Sequence, residues 1–164
     1  MDDPGSRAHL GHTIVRAAPE DAPAMLALQR RAFAEEARRC GTLDIPPMTE
    51  PLDAIAQHIR QEIALTARDA TTIVGCVRGI VADGVCTIRA LVVEPARHGR
   101  GIGTSLLLAL EDAARGPVSR FDLTTNTVME GNVPFYERHG YRVTSRTPWT
   151  GSIVLAHMSK PACS

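Results

Sequence analysis

Val92-Val93-Glu94-Pro95-Ala96-Arg97-His98-Gly99-Arg100-Gly101-Ile102-Gly103-Thr104-Ser105-Leu106-Leu107-Leu108 is the stretch on which the reading of this chain turns. An apolar strand ends at a proline, passes through a basic, glycine-rich turn and restarts as an apolar helix. Closely spaced glycines let backbone N–H groups close around an anion. The helix that follows presents its N-terminal dipole to the same point. Arg97 and Arg100 add fixed charge suited to phosphate oxygens. By its chemistry the turn is a pyrophosphate cradle, with a plain strand-to-helix packing turn as the alternative.

Two other phosphate motifs share these ingredients and fail on residues. A dinucleotide fingerprint wants G-x-G-x-x-G with an acidic residue about 20 positions on. Here the glycines read Gly99-Arg100-Gly101-Ile102-Gly103, and Glu111 and Asp112 come too early, inside the helix. A Walker loop needs Gly-Lys-Ser/Thr, and the chain's one lysine is Lys160.

Outward from this turn, two β-rich runs precede it, Thr72 to Ala82 and Val85 to Val93. Asp83-Gly84 between them is a hairpin signal. Earlier, Thr13 to Ala17 reads as a first strand. Pro19-Glu20-Asp21 opens a helix, with proline and acids in its first turn. Ala22, Met25, Leu26, Leu28, Ala32 and Phe33 form its apolar stripe, and Gly41 stops it. Thr42 to Pro51, with three prolines, is a loop. Leu52 to Ile63 is a second helix, with Leu52, Ile55, Ala56 and Ile59 on one side.

After the turn, a helix runs from about Ile102 to Arg115, with Ile102, Leu106, Leu110 and Ala113 in register, and ends at Gly116-Pro117. Phe121 to Thr125 is a strand and Gly131 to His139 a short helix stopped by Gly140. Tyr141 to Arg146 and Ile153 to Met158 form a last strand pair. The order is strand, two helices, three strands, helix, strand, helix, two strands. It predicts an α/β domain over residues 12–160 with a mixed sheet, after a loose tail at 1–11.

At 164 residues the chain has room for one sizeable core. Eighteen basic and eighteen acidic residues balance to zero, which gives no electrostatic case for nucleic acid or an anionic membrane. No apolar run approaches the roughly 20 residues of a membrane span. Met1-Asp2-Asp3-Pro4-Gly5-Ser6 lacks the regions of a signal peptide, so the expected location is cytoplasmic. Cys40, Cys76, Cys86 and Cys163 have neither C-x-x-C pairing nor zinc-type His spacing. No metal is expected, and Cys76 and Cys86 read as reduced core residues.

A second constellation lies near the C-terminus, Glu130-Gly131-Asn132-Val133-Pro134-Phe135-Tyr136-Glu137-Arg138-His139-Gly140-Tyr141. Asn132 and Tyr136 are four apart and share one helix face, so an amide and a phenol can address one ligand. The alternatives are an N-cap role for Asn132 and a packing role for Tyr136.

Together the two stretches resemble the GNAT superfamily of acyl-CoA-dependent N-acetyltransferases, over roughly Thr13 to Lys160. The family's signature is a strand, then Gln/Arg-x-x-Gly-x-Gly/Ala, then a helix. His98 to Gly103 matches it, with His98 in the Gln/Arg place. The asparagine before a Phe-Tyr-Glu-Arg-x-Gly-Phe/Tyr run matches the family's second motif.

The resemblance implies a single-domain, mostly antiparallel sheet flanked by helices, and direct attack of an amine on acetyl-CoA, with no metal. It implies that Leu91, Val92 and Val93 hold the pantetheine arm. Arg97, His98, Gly99, Arg100, Gly101, Ile102, Gly103 and Thr104 would hold the pyrophosphate. Asn132 would touch the coenzyme, and Tyr136 would protonate the departing thiolate. The acceptor would be a small-molecule or protein amine, approaching near Cys40 to Pro51, and a homodimer is left open.

No base is assigned. Some relatives carry a glutamate early in the central strand, where this chain has Thr87 and Arg89. Glu94, at the strand's end, is a candidate, with capping the turn or facing solvent as the alternative. Glu35, Glu36 and Asp44 lie near the first helix–loop boundary, which often shapes the acceptor site in similar proteins. They read either as binders of a cationic substrate or as solvated charges, and His58 and His98 carry the same ambiguity. A catalytically silent acyl-CoA-binding or regulatory domain is the alternative function.

Overall fold

The computed structural model describes residues 11–162. The expected tail, Gly11 apart, and Cys163 lie outside them. Strand β1 (Thr13–Arg16) is followed by a single 3-10 turn, Pro19–Asp21, that leads into α1 (Ala22–Cys40). Gly41 ends α1 in the left-handed region at φ 73°, where a side chain would be strained. A one-turn helix α2 (Pro46–Thr49) and then α3 (Leu52–Gln61) complete the first helical layer. Ile45, 1% exposed, anchors the loop before α2 in the interior.

Of the three strands expected after the second helix, the one to which the sequence gives no range is the first, β2 (Ile63–Asp69). Glu62 turns to extended backbone, so α3 stops at Gln61 and Ile63 belongs to the sheet. β3 (Thr72–Ala82) and β4 (Val85–Val93) coincide with the expected runs. Asp83 and Gly84 both take positive φ, 53° and 76°, as a tight hairpin turn between twisted strands requires. Then come α4 (Ile102–Ala113), β5 (Arg120–Asn126), α5 (Asn132–Arg138), β6 (Arg142–Pro148) and β7 (Val154–Pro161).

The seven strands form one sheet in the order β1-β2-β3-β4-β5-β7-β6. Every neighbouring pair is antiparallel except β4 and β5, which run parallel. α1 and α3 cover one face and bury Met25, Leu28, Ile55 and Ile59 against Cys76 and Val92. α4 covers the other, with Leu106, Leu107 and Leu110 against Val77 and Ile88. β3 is therefore buried on both faces, which explains its continuous apolar run. Added Cβ atoms at Gly75 and Gly79 would sit 2.9 Å from Leu106 and 3.0 Å from Leu110, so these glycines set how closely α4 approaches the sheet.

Two stripe positions differ from expectation. Leu52, in the first turn of α3, is 41% exposed. At the end of α4, the C-cap Ala114 is buried and Ala113 is not. An i+4 ladder drifts around the helix, and the buried stripe centres on Leu107 and Leu110, which carries it to Ala114.

Candidate active site

β4 and β5 pair only at Val85–Arg120, Cys86–Phe121 and Thr87–Asp122. Beyond Thr87 the two strands splay apart, while β4 continues to Val93 and β5 to Asn126. The parting strands frame a cavity of about 1210 Å³. A β-bulge bends the β4 wall. Cys76 pairs with Val92 and Arg78 with Arg89, so two steps on β3 face three on β4. Ala90 takes up the extra residue at φ 52°, a strained backbone for a non-glycine residue. The bulge switches side-chain phase: Val92 joins the α1 face, while Leu91 and Val93 pack toward α4.

The glycine-rich turn closes one end of this cavity. Gly101 caps α4 at φ 78° with no side-chain cap, and Gly99 sits at φ 79°. Among the described residues, the backbone N–H groups of Gly99 to Thr104 find no acceptor. This row of open donors at the start of a three-turn helix suits an anion. Leu91, Val92, Val93, Arg97, His98, Gly99, Gly101, Ile102, Gly103, Thr104, Asn132 and Tyr136 all line the cavity. Arg100 does not. Arg97 is not a free charge either: its guanidinium pairs at 2.5 Å with Asp69 of β2. His98 spends its Nε2 on the Val93 carbonyl, 3.2 Å away. What the turn offers to an anion in the cavity is therefore chiefly its backbone.

α5 forms the opposite side. Gly131 is its N-cap, so Asn132 is the first helical residue, and its amide donates to the Thr125 hydroxyl at 3.0 Å. Tyr136 is half-buried between Phe135 and Tyr141, with ring centroids 5.1 and 5.8 Å away. Its hydroxyl has no hydrogen-bond partner among the described residues. Burial pushes the Tyr136 phenol up to about 12, with the Glu36 charge adding to the effect, so it keeps its proton at neutral pH.

α1 roofs the cavity with Gln29, Ala32, Phe33 and Glu36, one face at i, i+3, i+4 and i+7. At its N-terminal end the roof is tied to the sheet through Arg78, which is 2% exposed. Arg78 holds Glu50 through two hydrogen bonds of 2.6 and 3.0 Å. It also donates to Gln29 Oε1 at 3.1 Å and faces His58 Nδ1 at 2.7 Å. Gln29 in turn donates to Glu50 and to the Pro47 carbonyl. Burial would raise the Glu50 carboxyl, yet hydrogen bonds from Arg78 and Gln29 hold it below its ordinary value. Burial, then the neighbouring arginines, lowers His58.

A model of the acetyltransferase (GNAT) family matches residues 22–141. The chain belongs to this GNAT acetyltransferase family. It is 32% identical over 100 residues, 60% of this chain and 67% of the other, to the uncharacterized N-acetyltransferase YjcF of Bacillus subtilis (strain 168). In fold it resembles the PaiA N-acetyltransferase of Thermoplasma acidophilum in complex with coenzyme A, with TM-score 0.76, 16% identity and coverage of 92% and 98% of the two chains. The ribosomal-protein-S18-alanine N-acetyltransferase of Escherichia coli gives TM-score 0.76 at 19% identity, covering 93% and 95%.

In this GNAT enzyme the acidic residues singled out in the sequence separate cleanly. Glu94 is taken by Arg31 at 2.7 Å and Glu35 by Arg38 and Arg39. Asp44 is exposed and lies off the cavity. Glu36 is different: it is 8% exposed, lines the cavity and has no hydrogen-bond or ion-pair partner among the described residues. Burial pushes its carboxyl up to about 7. The available signal was its spacing, since Phe33 and Glu36 continue the stripe of α1. The roles of Arg78 and Glu50 depend on distant segments meeting and leave no local mark.

No group of three or more His, Cys, Asp or Glu side chains among the described residues could hold a metal ion. No helix among them is long and apolar enough to cross a membrane.

Proposed function

We propose that the cavity binds acetyl-CoA and transfers its acetyl group directly to an amine. The observation that carries this reading is the splay of β4 from β5, with open backbone donors at Gly99 to Thr104 at one end of the cavity and Tyr136 lining its α5 side. The pyrophosphate lies on the α4 N-terminus, where Gly99, Gly101, Ile102, Gly103 and Thr104 offer N–H groups and Arg97, His98 and Arg100 flank it. The pantetheine arm runs along the open edge of β4 at Leu91, Val92 and Val93, adding to the sheet as a strand would. Asn132 faces the same arm from α5.

A backbone N–H of β4 stabilises the oxyanion as the amine attacks. Tyr136 gives its proton to the sulfur as the carbon–sulfur bond breaks. The acceptor enters under α1 and α2, past Ile45, Pro46 and Glu50. The chain's balanced charge favours a small amine over an acidic or basic macromolecular surface. The test is release of free thiol from acetyl-CoA by the purified protein with a panel of small amines and amino-terminal peptides, alongside calorimetry of acetyl-CoA binding. Binding with amine-dependent thiol release is the expected result; binding of neither acetyl-CoA nor CoA overturns the reading.

A further inference from the structure

Two carboxylates line the cavity, and their situations are opposite. Glu50 is consumed by Arg78 and Gln29. Glu36, projecting from the roof helix, meets no cation or hydrogen-bond donor among the described residues although it is buried. A buried carboxylate normally has such partners, because desolvating it alone is costly. Its neighbours on α1 do not supply them: Arg38 and Arg39 both turn to Glu35. Glu36 therefore keeps its acceptor capacity facing a cavity it shares with Tyr136.

We propose that Glu36 is the base of the transfer, its carboxylate receiving the proton that the acceptor nitrogen sheds as the carbon–nitrogen bond forms. This rests on the acetyl-transfer reading above. The neutral amine adds to the thioester carbonyl, and its nitrogen gives one proton to Glu36. The carbon–sulfur bond then breaks, and the thiolate takes the proton of Tyr136. The proton on Glu36 passes through water to restore the phenol. The sum is amine plus acetyl thioester to amide plus thiol, with no proton gained or lost by the enzyme. A cationic amine is also drawn to the roof by the same carboxylate before it gives its first proton to solvent water and enters the step neutral.

Other charged groups bear on the acid–base behaviour of Glu36. Tyr136 and Arg138 face the cavity from α5, and Arg78, Arg89 and Arg97 from the sheet and the turn after it. Glu50, His58 and His98 complete the set. Arg78 and Arg97 are neutralised by Glu50 and Asp69. Tyr136 stays protonated throughout the neutral range. The group of this set that changes charge as a base near pH 7 and lies beside Tyr136 is Glu36.

The test compares wild type with Glu36→Gln and Glu36→Asp. With saturating amine, wild-type single-turnover rates should climb with pH and level off above about 7, where Glu36 is ionised. Glu36→Gln should lose roughly 10²–10⁴-fold and lose that limb, with acetyl-CoA affinity unchanged by calorimetry. Glu36→Asp should recover part of the rate and keep a limb. In the free protein, Glu36→Gln should raise Tm at pH 8 relative to wild type and leave it unchanged at pH 4. The folded carboxyl sits above its ordinary value, so its ionised form opposes folding, and that cost is present only at the higher pH.

A Gln variant with wild-type rate and pH limb overturns the proposal while acetyl transfer stands. So does a Gln variant whose acetyl-CoA affinity falls in step with its rate, since that marks a structural role. A wild type that binds acetyl-CoA but acetylates no amine brings down the transfer reading itself.

Discussion

The two sides of the cavity are built from different materials. The turn from Val93 to Thr104 presents main chain: positive-φ glycines and a row of N–H groups without partners, its nearby side chains already engaged by Asp69 and the Val93 carbonyl. The roof presents side chains, Arg78 tying Gln29, Glu50 and His58 together from four separate segments. A main-chain site tolerates changes of chemistry and is broken by a change of shape. A side-chain site tolerates changes of backbone propensity and is broken by a change of charge.

Substitutions can break or sharpen this contrast. Tyr136→Phe should have the largest effect, because it removes one hydroxyl and little volume from the proposed proton donor. If that hydroxyl protonates the thiolate, the single-turnover rate should fall roughly 10²–10⁴-fold, with acetyl-CoA affinity nearly constant by calorimetry. A wild-type single-turnover rate would reduce Tyr136 to packing.

Arg78→Leu comes next and strikes the side-chain wall. It strands the largely buried Glu50 carboxylate, and losing one partner of a buried pair costs about 3–5 kcal/mol, readable by urea unfolding. Glu50 is held below its ordinary value of 4.5. The pair's contribution is therefore present above that pH and fades as acid protonates the carboxylate, so the gap between wild type and variant should narrow on acidification. Equal stability of the two proteins at pH 7 would mean that the roof does not depend on its ion pair.

Gly101→Val strikes the main-chain wall. A β-branched residue resists φ 78°, so the turn must reshape. Loss of a charge-assisted hydrogen bond to the pyrophosphate costs about 1.5–3 kcal/mol. Calorimetry should show acetyl-CoA bound roughly 10–100-fold more weakly, since each 1.4 kcal/mol is tenfold. An unchanged affinity in a folded variant would remove the pyrophosphate from this turn. His98→Gln should have the smallest effect, within about 0.5 kcal/mol in affinity, as expected where a side chain serves only locally. A larger loss would make the turn a side-chain site after all.

The same contrast decides what the sequence discloses. Gly99 to Gly103 and Asn132 to Tyr136 are contiguous, and the roles proposed for them follow from backbone conformation and helical spacing, so both stand out in one dimension. Asp83-Gly84 marks its hairpin for the same reason. β2 has no breaker between Gln61 and Ile63, so its short apolar run merges with the end of α3. Glu36 looks like Glu35 beside it until the fold decides which one points at water. The Arg78 cluster joins residues 20 to 49 positions apart, and nothing local in any of them announces the meeting.

The short parallel seam between β4 and β5 has a consequence for the energetics of the whole chain. Three paired positions join a four-stranded block to a three-stranded one, and the rest of that boundary is an open mouth. A ligand lodged in the mouth touches both blocks and binds well only when they are docked. Its binding energy is then counted toward folding: about 2.7 kcal/mol at a hundred times its dissociation constant. The domain is thus a wedge open along most of one seam, and a ligand that fills the gap would make its resistance to unfolding follow that ligand's concentration.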